Sequence, residues 1–96
     1  MIKKYQGENF EDIKDLTIIS FYADWCGPCK MLSKVLSTLE DIDIIKIDVD
    51  SEEEISKEYK VMTIPTLLFI KNGEIIERLV GFQTREELDA LINELK

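Results

Sequence analysis

Apolar residues recur at two different periods along this chain, and the changes of period divide it into alternating strands and helices. Leu16-Thr17-Ile18-Ile19-Ser20-Phe21-Tyr22-Ala23 is a β-branched and aromatic run that predicts a strand buried on both faces. Leu32, Val35, Leu36 and Leu39 then recur at helical spacing. Pro28 suits the first turn of that helix, where its missing N–H would have had no partner. A second strand is predicted over Asp43 to Val49, apolar except for Lys46 and Asp48. A strand–helix–strand unit of this length predicts a right-handed parallel crossover.

Five further elements follow from the same pattern. Asn9 to Lys14 reads as a short first helix with Asn9 as its cap and Phe10 and Ile13 inward. Ser51-Glu52-Glu53-Glu54 matches a capping box and predicts a helix from Ser51 that carries Ile55 and Tyr59 on one face. Thr66 to Ile70 and Ile75 to Val80 flank Lys71-Asn72-Gly73-Glu74, and Asn-Gly predicts an antiparallel hairpin. Thr84-Arg85-Glu86-Glu87 is a second capping box, opening a helix with Leu88, Leu91, Ile92 and Leu95 on one stripe. The pattern defines an α/β chain with a mixed sheet and helices on its faces.

Composition narrows the classes of function. Ninety-six residues suit one domain over 1–96, near the lower size at which a core holds itself together without staples. Twelve Lys and Arg against twenty Asp and Glu give a net charge of −8, which opposes binding to nucleic acid or to an anionic membrane. The N-terminal segment has lysines but no apolar signal core, and no apolar run is long enough to cross a bilayer. A cytoplasmic protein is expected, and an acidic chain of this size needs no partner to stay in solution, so a monomer is expected.

The two cysteines carry the chemistry. They are the only ones in the chain and stand two residues apart in Trp25-Cys26-Gly27-Pro28-Cys29-Lys30, where the first strand gives way to its helix. Thiols at that spacing close a small disulfide ring and reopen it by exchange. Cys26 falls at the helix N-terminus, where unpaired N–H groups and the dipole favour thiolate, while Cys29 lies one turn further in. The first then attacks a substrate disulfide and the second resolves the mixed disulfide. A structural zinc site wants four ligands, and with no histidine and no third cysteine only a metal shared between two chains would satisfy it. Neither a resident metal nor a cofactor is expected.

Ala23-Asp24-Trp25-Cys26-Gly27-Pro28-Cys29-Lys30 closely resembles the active-site signature of the thioredoxin family, and the order of Lys46, Asp50, Ile64-Pro65-Thr66, Lys71-Asn72-Gly73 and Gly81 extends the likeness over nearly the whole chain. The resemblance implies the thioredoxin fold, a mixed sheet of four to five strands flanked by four helices. It implies a cis peptide before Pro65, which backbone statistics alone do not favour. It also implies a protein-disulfide reductase recharged by thioredoxin reductase, with Cys26 as nucleophile and Cys29 as resolving thiol. Trp25, Gly27, Pro28, Ile64, Pro65 and Gly81 then resemble the platform that receives an extended substrate strand, read mainly through its backbone.

The lowered thiol pKa contributes less to attack than the thiolate fraction suggests. The value of about 7 known for thioredoxin, against about 8.5 for free cysteine, raises thiolate at neutral pH from roughly 3% to roughly 50%. A Brønsted slope of about 0.4–0.5 returns about fivefold of that gain, so attack improves only about threefold. The larger benefits are a better leaving group at Cys26 and an intramolecular second step.

Three positions depart from the family pattern. Ser20 stands where a buried aspartate is usual six residues before the first cysteine, and a serine hydroxyl is a poor base at neutral pH. Lys46, that acid's usual partner, is expected to be left without it, and water or a transiently neutral Lys46 is expected to take the proton of Cys29. Tyr22 replaces a common tryptophan, and Lys34 replaces a proline that kinks the helix, which is expected to run straighter. Two other readings remain open: a redox-independent binding subunit that uses the same platform, and a glutaredoxin-like reductase, which the Gly-Pro pair resembles less.

Overall fold

A computed structural model describes residues 1–96. Its sheet has five strands in the order β1-β3-β2-β4-β5: β1 Ile2–Lys4, β2 Thr17–Tyr22, β3 Asp43–Asp48, β4 Thr66–Lys71 and β5 Glu74–Val80. The central strand β2 pairs in parallel with β3 and antiparallel with β4, and β4 pairs antiparallel with β5 through the Asn72-Gly73 turn. The mixed sheet and the hairpin are as the pattern predicts. The short edge strand β1 was not part of that pattern: all three of its residues are exposed, so it carries no hydrophobic signature, and it is held through its backbone register on Ile44 to Lys46.

Alternation along β2 builds two cores. Ile18 faces Leu32 and Leu36 of α1 (Gly27–Leu36) and Leu88 and Ile92 of α3 (Arg85–Leu95). Ile19 and Phe21 face the other side, with Phe10, Ile45, Ile47 and Leu68, where Ile55 and Tyr59 at α2 (Glu53–Glu58) close the layer. All these strand residues are essentially inaccessible, which is why β2 reads as one apolar run rather than an alternation.

Two helices differ from expectation. The four implied helices are three α-helices and one 3-10 turn, Phe10–Asp12. Asn9 does cap it, its side chain accepting from the Glu11 N–H at 3.0 Å. The chain then leaves the helix at Ile13 because the carbonyls of Ile13 and Lys14 accept from Gly73 (2.7 Å) and Asn72 (2.9 Å) of the hairpin turn. The helix expected from Ser51 starts at Glu53, and its cap residue Glu52 makes no side-chain hydrogen bond. Asp48 governs that junction: its carboxylate accepts from the Asp50 N–H at 2.9 Å and its carbonyl from the Glu52 N–H at 2.9 Å, and the Ser51 hydroxyl points back to the same carbonyl at 3.4 Å. By contrast, the Thr84 box forms in both directions. Helix α1 runs without interruption through Lys34, and no helix is long and apolar enough to cross a membrane.

Candidate active site

Register across three strands brings the distant pieces of the site to one end of the sheet. Phe21 at the end of β2 lies beside Thr66 at the start of β4, and Thr66 lies beside Val80 at the end of β5. The segments that follow β2, precede β4 and follow β5 therefore meet: Ala23 to Cys29, Ile64-Pro65 and Gly81. This is the carboxyl end of β2, where sheets of this class place their chemistry.

Cys26 turns the chain from strand to helix. Its N–H donates to the Ala23 carbonyl at 3.2 Å, its carbonyl accepts from the Lys30 N–H at 3.2 Å, and its backbone is extended as a cap residue requires (φ −90°, ψ 110°). Its sulfur accepts from the Cys29 N–H at 3.2 Å, so the side chain itself caps α1. Cys26 and Cys29 are joined as a disulfide with Cα atoms 5.2 Å apart. Reduction leaves the Cys26 sulfur on the positive end of the helix with an N–H aimed at it, a setting that favours thiolate.

An apolar platform surrounds the pair. Trp25 is 70% exposed yet fixed, because its indole N–H donates to the Asp50 carboxylate at 2.8 Å. Ile64 packs on the cluster of Ala23, Cys26 and Cys29. The Ile64–Pro65 bond is cis, as the resemblance implies. The Gly81 N–H donates to the Pro65 carbonyl at 2.8 Å, and Gly81 adopts φ +93°. A Cβ at Gly27 or at Gly81 would meet nothing within 4 Å, so both glycines leave the surface beside the disulfide uncovered. The structure thus brings Trp25, Cys26, Gly27, Pro28, Cys29, Ile64, Pro65 and Gly81 together.

Ser20 and Lys46 lie beneath, on the α1 side of the sheet, as direct register partners on β2 and β3. Ser20 is buried. Lys46 stands without a carboxylate partner, as expected, and takes neutral ones instead: its Nζ donates to the Ser33 hydroxyl of α1 at 3.2 Å and stands 4.5 Å from the centre of the Tyr22 ring. Burial raises the Tyr22 phenol above its ordinary value, and the negative charges of Asp48 and then Asp24 add to the rise, so the phenol is neutral at physiological pH. Sequence reasoning missed Ser33, although its place four residues after Cys29 sets the two on one helical face. It also gave no role to Asp50, which holds Trp25.

A strand-to-helix Cys-Gly-Pro-Cys disulfide, set in an apolar surface at the end of a five-stranded mixed sheet, defines a thiol-disulfide oxidoreductase. The family model described as Thioredoxin matches residues 1–94, and the chain belongs to that family. It is 43% identical over 93 residues to the thioredoxin of Bacillus subtilis strain 168, covering 92% of this chain and 89% of that one. It is 40% identical over 99 residues to the thioredoxin of Chlamydia trachomatis serovar D, covering 97% of each. Among solved structures, a point-mutant thioredoxin from Halobacterium salinarum NRC-1 superposes with a TM-score of 0.87 at 37% identity, covering 97% of this chain and 88% of that chain. A thioredoxin from Malassezia sympodialis superposes with a TM-score of 0.80 at 31% identity, covering 98% and 90%. Protein-disulfide reduction through a reversible dithiol is the activity of this chain, with disulfide-bearing substrates and a reductase as its general partners.

Proposed function

We propose that Cys26 is the attacking thiol and Cys29 the resolving thiol of a monomeric, cytoplasmic reductase that thioredoxin reductase recharges. One observation carries the division of roles: both cysteines are buried, but the Cys26 sulfur caps α1 and accepts the Cys29 N–H, whereas Cys29 sits inside the first helical turn. A negatively charged sulfur accepts that N–H more strongly than a neutral thiol does, so the contact favours the thiolate that attacks. Trp25, Gly27, Pro28, Ile64, Pro65 and Gly81 form the receiving surface, and its few side-chain polar groups suit recognition of substrate backbone.

The test is reduction of insulin disulfides by the protein, NADPH and a thioredoxin reductase. Turnover is expected with the unmodified protein and is expected to be lost in both Cys26→Ser and Cys29→Ser. Full activity of either variant in living cells would favour a redox-independent binding role and overturn the proposal. The direction of electron flow is checked by the reduction potential, which is expected to lie below that of the glutathione pool.

A further inference from the structure

Cys29 is 4% exposed, yet it lines a cleft of about 390 Å³ that Cys26 does not reach. The cleft lies between α1 and the ends of β2 and β3, with Tyr22, Ser33 and Lys46 in its wall. Its charges run against those of the molecule. Lys30, Lys34 and Lys46 face it with Asp24 as the one carboxylate, on a chain whose net charge is −8. Lys46 is the lysine held in place, bonded to Ser33 and seated against the Tyr22 ring, with Asp48 beyond that ring in a smaller adjoining cleft. Ser20, buried behind Lys46, does not line the opening.

We propose that Cys29 loses its proton through this lysine-lined cleft to solvent water, and that Lys46 is a positioning residue that holds positive charge beside the sulfur as the thiolate forms. The inference rests on the assignment of Cys29 as the resolving thiol. Water in the cleft accepts the proton and passes it to bulk solvent. The freed electron pair on the Cys29 sulfur attacks the Cys26 sulfur, forming the Cys26–Cys29 bond and breaking the bond from Cys26 to the substrate sulfur. The substrate leaves as a thiolate and takes up a proton. Two electrons have then passed from the dithiol to the substrate disulfide. The neutral Tyr22 phenol and the Ser20 hydroxyl are too weak as bases to replace water here. A positive charge facing the same cleft favours the charged form of the thiol, and the opening to solvent places that effect at the low end, about one unit or tenfold in thiolate.

The experiment mixes reduced protein with a chromogenic aryl disulfide and follows release of the aryl thiolate across pH. The first release reports attack by Cys26, and the second reports resolution by Cys29. Lys46→Met is expected to move the pH midpoint of the second step up by about one unit and to slow that step about tenfold below the midpoint. Lys46→Arg is expected to restore it, since the charge is kept. Asp24→Asn is expected to move the midpoint down, because it removes the cleft's one negative charge. An unmoved midpoint in Lys46→Met, a second step as slow in Lys46→Arg as in Lys46→Met, or a second step slowed by Asp24→Asn would each overturn the route. Absence of the first step in the unmodified protein would instead overturn the assignment of Cys26, and the route with it.

Discussion

Gly73 shows how one residue can be fixed twice. Its φ of +76° lies where a side chain is strained, and a Cβ built on it would sit 2.5 Å from the Glu11 carbonyl oxygen. The same close approach lets its N–H reach the Ile13 carbonyl at 2.7 Å, which ends the 3-10 turn and ties it to the hairpin. Gly7 has a similar φ of +88° but open space around it. Gly73→Ala is therefore expected to lower stability by about 1–3 kcal/mol, and by more than Gly7→Ala, in urea unfolding. Equal losses would show that the contact with Glu11 contributes nothing. At this scale the chemistry was legible in the sequence, because Cys26 and Cys29 announce themselves by spacing. Their supports were not: Asp50 is 25 positions from Trp25 and Ser33 is 13 from Lys46, and only the fold brings each pair within hydrogen-bonding distance.

At the scale of elements, two segments carry the same capping pattern and only one uses it. Thr84 accepts from the Glu87 N–H at 3.1 Å while the Glu87 carboxylate accepts from the Thr84 N–H at 3.0 Å. Ser51 is drawn instead to Asp48, whose strand-end position lets it collect the N–H groups that follow. A local pattern thus predicts the helix, whereas its first residue depends on what competes for the cap. Thr84→Ala is expected to lower stability by about 1 kcal/mol, measured by thermal or urea unfolding. Hydrogen bonding from the Thr84 backbone holds the Glu87 carboxyl below its ordinary value, with the Thr84 side chain contributing next. A depressed carboxyl stabilises the fold above the ordinary carboxylate range and loses that contribution as pH falls through its folded value. The stability gap between the unmodified protein and Glu87→Gln is therefore expected to be open at neutral pH and to close below about pH 4. A gap that stays constant with pH would contradict the cap.

The whole molecule places the site through the order of its strands. The strands that contribute Cys26, Pro65 and Gly81 are neighbours in the sheet, β2, β4 and β5, so an antiparallel register alone gathers three segments far apart in the chain at one end. The hydrophobic pattern revealed the mixed sheet and the parallel β2–β3 pair but not which loops converge; that came from the resemblance in Ile64-Pro65-Thr66 and Gly81. The edge strand β1 escaped the hydrophobic pattern because backbone pairing, not side-chain burial, holds it. The central claim for the whole molecule is a division of labour between a helix-capping Cys26 and a Cys29 one turn further in, served by its own cleft. Its most direct test is to incubate reduced Cys29→Ser and Cys26→Ser proteins with a disulfide-bonded protein substrate and to weigh the products under non-reducing conditions. A stable mixed disulfide to substrate is expected through Cys26 in Cys29→Ser, with little or none in Cys26→Ser. Equal trapping by the two variants, or trapping through Cys29 alone, would contradict the account.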